Sequence, residues 1–526
     1  MKAWMWAICL LATTQGVAAQ SATPVDSHDA HHQQPPAAAS LGKTGPALRE
    51  KRKQGVSPAY ARQWRDAMAL GDQDDVAAAD RALAQVMAHR EFATLSEDEQ
   101  RATWSRAAWM AVRLGDHDRA RRWATRAIDA GSDDPDNVYL LAQLDARDGA
   151  HGAAATRLRD LAVRWPHVLA HLDTGFVMQT ARQAPEGTPI RLQVLEALLQ
   201  ANWDANGLGA GDLWYQLALL YQARGDAEGV RRAVALTTSP EALVKFRVDR
   251  RFDALLDRNE AAFDIAAAAK RRMEHLRALA AERPRNLEVR MELGSALLAV
   301  GQHADVVTLA TTTLGAVSAA PTETPAFDDP DYEVWIINAR AIAQRRLGRL
   351  YDAQADLFRG TLMSESGDLN VSQALNLGQF LCQRGRPDEA LAAIDNVGQM
   401  SGYGRMVQAS IEHCAAVQRQ DAAAAKRALA YLGEHREDSL EIWIWALVEA
   451  NRMDDAAAGL IAALAAPATR GDLLAAVQEY REPAPLPAFE PVQARWRALL
   501  ARDDVRKAVA DVGRIERQPI FASSGI

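Results

Sequence analysis

The chain is predicted to be all-α, a solenoid of antiparallel helix pairs, on three observations. Small and apolar residues recur 34 positions apart between Trp104–Ser132 and Val138–Pro166. Gly115 answers to Gly149, Ala120 to Ala154, Ala124 to Leu158 and Ala127 to Leu161. Each glycine falls where two helical stretches meet, a tight turn that a residue without Cβ takes at little steric cost. The alanines fall where the second helix of a unit must approach the first closely. A period of this length marks a helix–turn–helix unit that buries its apolar face only by stacking on its neighbours.

Trp214–Gly225 is the clearest copy, with Trp214, Leu217, Ala218, Tyr221 and Gly225 spaced Trp-x2-Leu-Gly-x2-Tyr-x3-Gly and Ala218 in place of the inner glycine. Sliding that frame finds Leu293, Gly294, Leu297 and Gly301, then Leu377, Gly378, Leu381, Gly385 and Ala390. Weaker copies carry Gly71, Gly348 with Ala353, Gln420 with Ala425, and Asn451 with Ala456. On these residues the chain resembles the tetratricopeptide repeat family over roughly residues 57–466, and within it a bacterial exported protein. The resemblance implies a right-handed superhelical solenoid whose inner face receives an extended or helical peptide.

Along the chain, Met1–Ala19 reads as a cleavable signal peptide. Lys2 gives the positive start, Ala3–Ala12 the apolar stretch, and Val17-Ala18-Ala19 the small-residue cleavage site. The expected product is a soluble periplasmic protein, since no later apolar run is long enough to span a bilayer. Residues 20–56 are rich in Pro, Ala, Ser, Gln and His and read as a disordered linker. Its basic end, Lys43–Lys53, reads as a solvated tether, and the tract around His28, His31 and His32 as a weak metal holder at most.

Residues 57–236 are the expected N-terminal repeats. Tyr60–Gln85 forms the first pair, and Thr94 with Glu97 resembles a capping box. Residues 167–200 read as a degenerate unit interrupted at Ala184–Pro189, and Asp212 as a cap for the helix carrying Trp214. Residues 237–285 are an off-frame helical insert. Its Phe252-Asp-Ala-Leu255-Leu256 resembles Trp496-Arg-Ala-Leu499-Leu500, which suggests two copies of one element. Residues 286–467 are the expected C-terminal repeats, broken at Ser318–Pro330. In residues 468–526, four prolines from Pro483 to Pro491 delay the next helix to Val492–Ile515. That helix is expected to cap the stack, and Gln518–Ile526 to be a loose tail.

The net charge of −8 and pI near 5.9 leave no footprint for nucleic acid. Arginine outnumbers lysine 52 to 8, which reads as coding bias. Enzyme motifs are not met. Gly42-Lys43-Thr44 lacks the preceding strand and first glycine of a phosphate loop, and the glycines of 207–211 follow no strand. His167 and His171 have metal-capable helical spacing but no glutamate between them, so a structural pair is favoured. No catalytic, cofactor or metal residue is assigned, and the chain is expected to be non-enzymatic.

The resemblance carries the partner-binding groove to frame positions 2, 5, 9 and 12 of each first helix. These include Trp109, Tyr139, Gln143, Tyr215, Leu219, Gln222, Met291, Asn338, Arg345, Gln379 and Trp445. No lysine stands at position 5, so a clamp for a chain-terminal carboxylate is not supported. The aromatic and amide mixture suits peptide recognition and would also suit sugar stacking; packing between repeats is the competing reading for each aromatic. After signal cleavage Cys382 and Cys414 remain, on the same face of adjacent first helices, either a disulfide or two buried thiols. The expected function is an interaction scaffold of the cell envelope that binds a protein or peptide. The alternative is an accessory of polysaccharide export that contacts glycan directly.

Overall fold

The computed structural model describes residues 56–71, 75–321, 324–365 and 368–522. The expected signal peptide and almost all of the expected linker, with its histidines and basic end, lie outside the described residues. The chain divides into two compact units, with the boundary between Asn206 and Gly207. This differs from the sequence division at 236. The helix pair carrying Trp214 belongs to the second unit, because Tyr215 packs on Phe246 and Phe252 of the next segment.

In the first unit, Pro58–Leu70 pairs with Val76–Ala88, Glu97–Arg113 with His117–Asp129, and Pro135–Arg147 with His151–Arg164. Thr174–Gln183 and Pro189–Gln200 then pack against the helix of His151. The 34-residue frame falls in register on these helices. Gly115 and Gly149 both end a first helix with φ near +75° (+76° and +74°), and Ala120, Ala124, Ala127 and Ala154 are buried at the contact. Asp116, directly after the glycine, caps the second helix by accepting from the Arg119 amide at 3.0 Å. The same pair of roles recurs at Gly225-Asp226 and at Gln420-Asp421.

Two local expectations shift here. The capping box is Ser96 with Glu99, whose side chain and backbone bonds are reciprocal. Thr94 instead lies in the preceding 3₁₀ turn Arg90–Thr94, where its hydroxyl donates to the Glu91 carbonyl at 2.7 Å. His167 and His171 lie in a 3₁₀ turn, Pro166–His171. At three residues per turn, positions four apart do not share a face, so the metal-capable spacing dissolves.

The second unit opens with Gly211–Gln222 paired to Ala227–Ala235, then Pro240–Val248. The expected insert is only partly helical. Phe252 sits in a short 3₁₀ turn whose entry is fixed by the Asp249 carboxylate accepting from the Arg251 amide. Trp496 lies inside the helix Glu490–Ala501, so the two segments are not copies of one element. Ile265–Glu282 packs along Leu287–Val300, and His303–Ala319 comes next in the chain.

The pairs Glu333–Arg346 with Leu350–Thr361, Val371–Gln383 with Pro387–Ile394, Gly402–Gln418 with Ala422–Glu434, and Leu440–Glu449 with Met453–Ala465 complete the stack. Cys382 and Cys414 are disulfide-bonded across two neighbouring first helices, with Cα atoms 6.4 Å apart.

The C-terminal segment departs most from expectation. After Pro467–Ala476 comes a strand, Glu479–Arg481, then two helices, Glu490–Ala501 and Asp503–Val512, parted by extended Arg502. Arg517–Phe521 is a second strand, parallel to the first, with Glu479 opposite Arg517 and Arg481 opposite Phe521. Gln518, Ile520, Phe521 and Ala522 are buried, so this stretch is not a loose tail. Its burial alternates, with Arg517 and Pro519 out and Gln518 and Ile520 in, as in a half-buried strand.

Candidate partner-binding face

In the first unit the first helices present Trp109, Tyr139 and Gln143, all half-buried. Trp109 touches the core cluster of Tyr60, Leu83 and Met110 and also that of Ala108, Leu140 and Leu144, so it bridges adjacent pairs. Tyr139 meets Phe176 edge to face at 5.3 Å, and its hydroxyl accepts from the Asp173 amide at 3.4 Å. Burial pushes this phenol up to about 12. Asp136, one turn earlier at frame position 2, is pushed up to about 6, first by burial and then by the charge of Asp134. Ser105 is spent internally, accepting from Asn137 Nδ2 at 2.7 Å. The face therefore offers two aromatics, an amide and a carboxylate that titrates just below neutrality.

The second unit places its candidate residues differently. Tyr215 is core: its hydroxyl donates to Asp249 at 3.2 Å, and Lys245 Nζ lies 5.4 Å from its ring centre. Met291 packs among Leu287, Phe327, Ile336 and Ile337. Asn338 accepts from Asn376 of the neighbouring first helix at 3.3 Å, and Gln379 is buried. Leu219 and Gln222 are half-buried.

Arg345 donates to the Ala484 carbonyl at 2.8 Å, and Trp445 stacks on Phe489 at 5.4 Å and meets Trp496 at 5.2 Å. Both partners come from the C-terminal segment. Adjacent Arg346 donates to the carbonyls of Leu298 (3.0 Å) and Ala522 (2.9 Å) while covering the Phe521 ring. Burial pushes Arg345 down to about 10, and burial plus Arg345 pushes Arg346 down to about 9; both stay charged at neutral pH. Residues 479–522 thus lie on first-helix positions that the sequence assigns to a partner.

Sequence reasoning missed a charged cluster beneath this segment. Lys245 Nζ is 2.8 Å from Asp472 and 3.5 Å from Asp212, joining three helices. Glu441 nearby is pushed up to about 8, by burial first and by Asp472 next, with Lys245 opposing. Arg247 and Arg258 both reach Glu516, at 2.6 and 2.8 Å, and the backbone of Asp249 bridges to Gly513. Contacts between such distant residues carry no periodic signal. Among the described residues no group of three metal-capable side chains gathers, and no helix is long and apolar enough to cross a membrane.

No family model matches the chain, and no curated protein is significantly similar to it. Solved structures similar to it include a tetratricopeptide repeat protein from Parabacteroides merdae, at 11% identity over 59% of this chain and 94% of that one, with a TM-score of 0.30. Yeast Tom70 overlaps 86% of this chain and 99% of its own at 9% identity and a TM-score of 0.33. A thermophilic repeat protein of Thermus thermophilus overlaps 38% of this chain and 99% of its own at 20% identity and 0.19. Superpositions this loose carry no argument. What does is internal to the chain: its 34-residue period, left-handed turns and small-residue contacts make it a tetratricopeptide-like helical-repeat protein.

Proposed function

We propose that the chain is an exported, non-enzymatic interaction scaffold that holds a protein or peptide partner on the first-helix face of residues 97–147. One observation carries this reading. Trp109, Tyr139 and Gln143 are half-buried against neighbouring helices of their own unit, whereas Arg345 and Trp445 of the second unit are covered by the chain's C-terminal segment. Rigid aromatics beside an amide and a carboxylate suit a peptide carrying an apolar and a basic side chain. Periplasmic location is supported by the disulfide, a bond that persists in oxidising compartments. The mature chain is expected to begin near Gln20 in a periplasmic fraction, and an intact Met1 in the cytosol defeats that part of the proposal.

The binding test places a photocrosslinking side chain at position 143 and identifies what is trapped in cells. A protein adduct that disappears with Trp109→Ala and Tyr139→Ala, but persists with Trp445→Ala, is the expected result. Adducts to glycan alone, or a partner indifferent to Trp109→Ala, overturn it.

A further inference from the structure

We propose that the outward stripe of the helix Leu350–Thr361 joins two copies of this chain about a twofold axis. Ala353, Asp356, Leu357 and Gly360 form the buried side of that helix. Opposite them run Tyr351, Ala355, Phe358 and Leu362, spaced four, three and four. Tyr351 is 79% exposed, Phe358 56% and Leu362 66%. They are three of the four most exposed large apolar side chains among the described residues; the other is Val163. Such spacing is the seam of a two-helix contact. Arg384 lies over part of the Tyr351 ring, with its guanidinium 5.2 Å from the ring centre.

The flanks of the stripe specify the occupant. At 3.6 residues per turn Asp352 and Arg359 fall on one flank, and Gln354 and Thr361 on the other. In an antiparallel twofold pairing Tyr351 faces the copy's Leu362, and Ala355 faces its Phe358. Each flank then meets the same flank of the copy, and Asp352 comes within an axial rise of about two residues, ~3 Å, of the copy's Arg359. Symmetry makes that pair twice. A parallel pairing sets this flank against Gln354 and Thr361 and forms neither. Arg359 reaches Glu333 at 3.1 Å and keeps 44% of its side chain exposed, leaving part of its fork for a second carboxylate. One helix of three turns buries less than a standard interface, so the dimer is weak and reversible.

The test is sedimentation equilibrium of the full mature protein up to about 1 mM, a range that reaches weak association. The expected result is a monomer–dimer equilibrium with no higher species. Phe358→Glu and Leu362→Glu, both exposed, should each weaken it by about tenfold or more at unchanged melting temperature. Asp352→Arg should weaken it about three- to fivefold, as should Arg359→Asp, and the double exchange should restore it. If Arg359→Asp loses stability with its Glu333 pair, the other three variants decide the matter. A monomer at every concentration, a dimer untouched by Phe358→Glu, or a double exchange no better than either single one where both fold overturns the proposal.

Discussion

Gln420 and Asn451 occupy the turn position that glycine fills in the stronger repeats, and both adopt its left-handed backbone, at φ +59° and +56°. An L side chain there carries a steric cost of roughly 1 kcal/mol. Gln420→Gly should therefore raise stability by about 0.5–1 kcal/mol, read as the midpoint of urea unfolding at unchanged slope. Gly385→Ala, at φ +75°, should do the reverse by a similar amount. Glu441 acts through protons instead. Its folded pKa lies near 8, above the ordinary 4.5, so the folded state holds a proton that the unfolded state releases. Its contribution is fully present below about pH 4.5 and is lost as pH rises through 8. Glu441→Gln should flatten that slope, and a pH–stability profile of the variant parallel to wild type would count against the assignment.

At the level of the element, Ala154 is buried where its helix meets Pro135–Arg147, and Ala154→Arg forces a charge into a contact with no room for it. A loss on the order of 2–4 kcal/mol is expected, against a few tenths for an exposed change. An unaltered melting curve would show that residue 154 is not at the close contact. The disulfide closes a loop with a sequence separation of 32 residues, worth about 4 kcal/mol in the chain-entropy model. Because solenoid stability is local, reduction should speed hydrogen exchange in Val371–Glu434 and leave Glu97–Arg164 as it was.

These elements are legible in the sequence because their causes are local and periodic. Gly115, Ala120 and Ala154 repeat at a spacing the chain itself supplies, and even the departures at 420 and 451 stand in frame. The Ser96–Glu99 cap is harder to place, since a second cap-like signal lies two residues before it and only the adjoining helix selects between them. The same frame places Trp109 and Tyr139 on first helices, where both are half-buried against their neighbours.

Across the second unit the frame still places the turns and helices, but not what covers them. It marks Arg345 and Trp445 as lining a face, but it cannot say that Ala484, Phe489 and Trp496 come back to cover them. Nothing periodic links Arg247 to Glu516, 269 residues later, or Arg346 to Ala522. Arg517–Phe521 escapes a sequence reading because five residues around a proline resemble a disordered end unless their buried alternation is known. Phe521→Ala tests how much this segment holds. The ring touches Arg346, Arg481 and His303, and a Cβ on Gly301 would meet it at 2.9 Å. A loss of about 2–4 kcal/mol is expected, with faster hydrogen exchange in Leu287–Ala319, far away in sequence.

The segment also fixes when this unit can finish folding. A repeat array settles pair by pair as it emerges, from the ribosome or from an export channel, but this one is fastened by residues near 520, which follow every helix they cover. Until they emerge, Arg345, Arg346 and Trp445 lack their covers, and the unit stays open throughout its own synthesis. Its final closure therefore waits on residues 484–522, and a chain stalled near residue 480 should remain sensitive to protease in Leu287–Glu449 after its helices have formed.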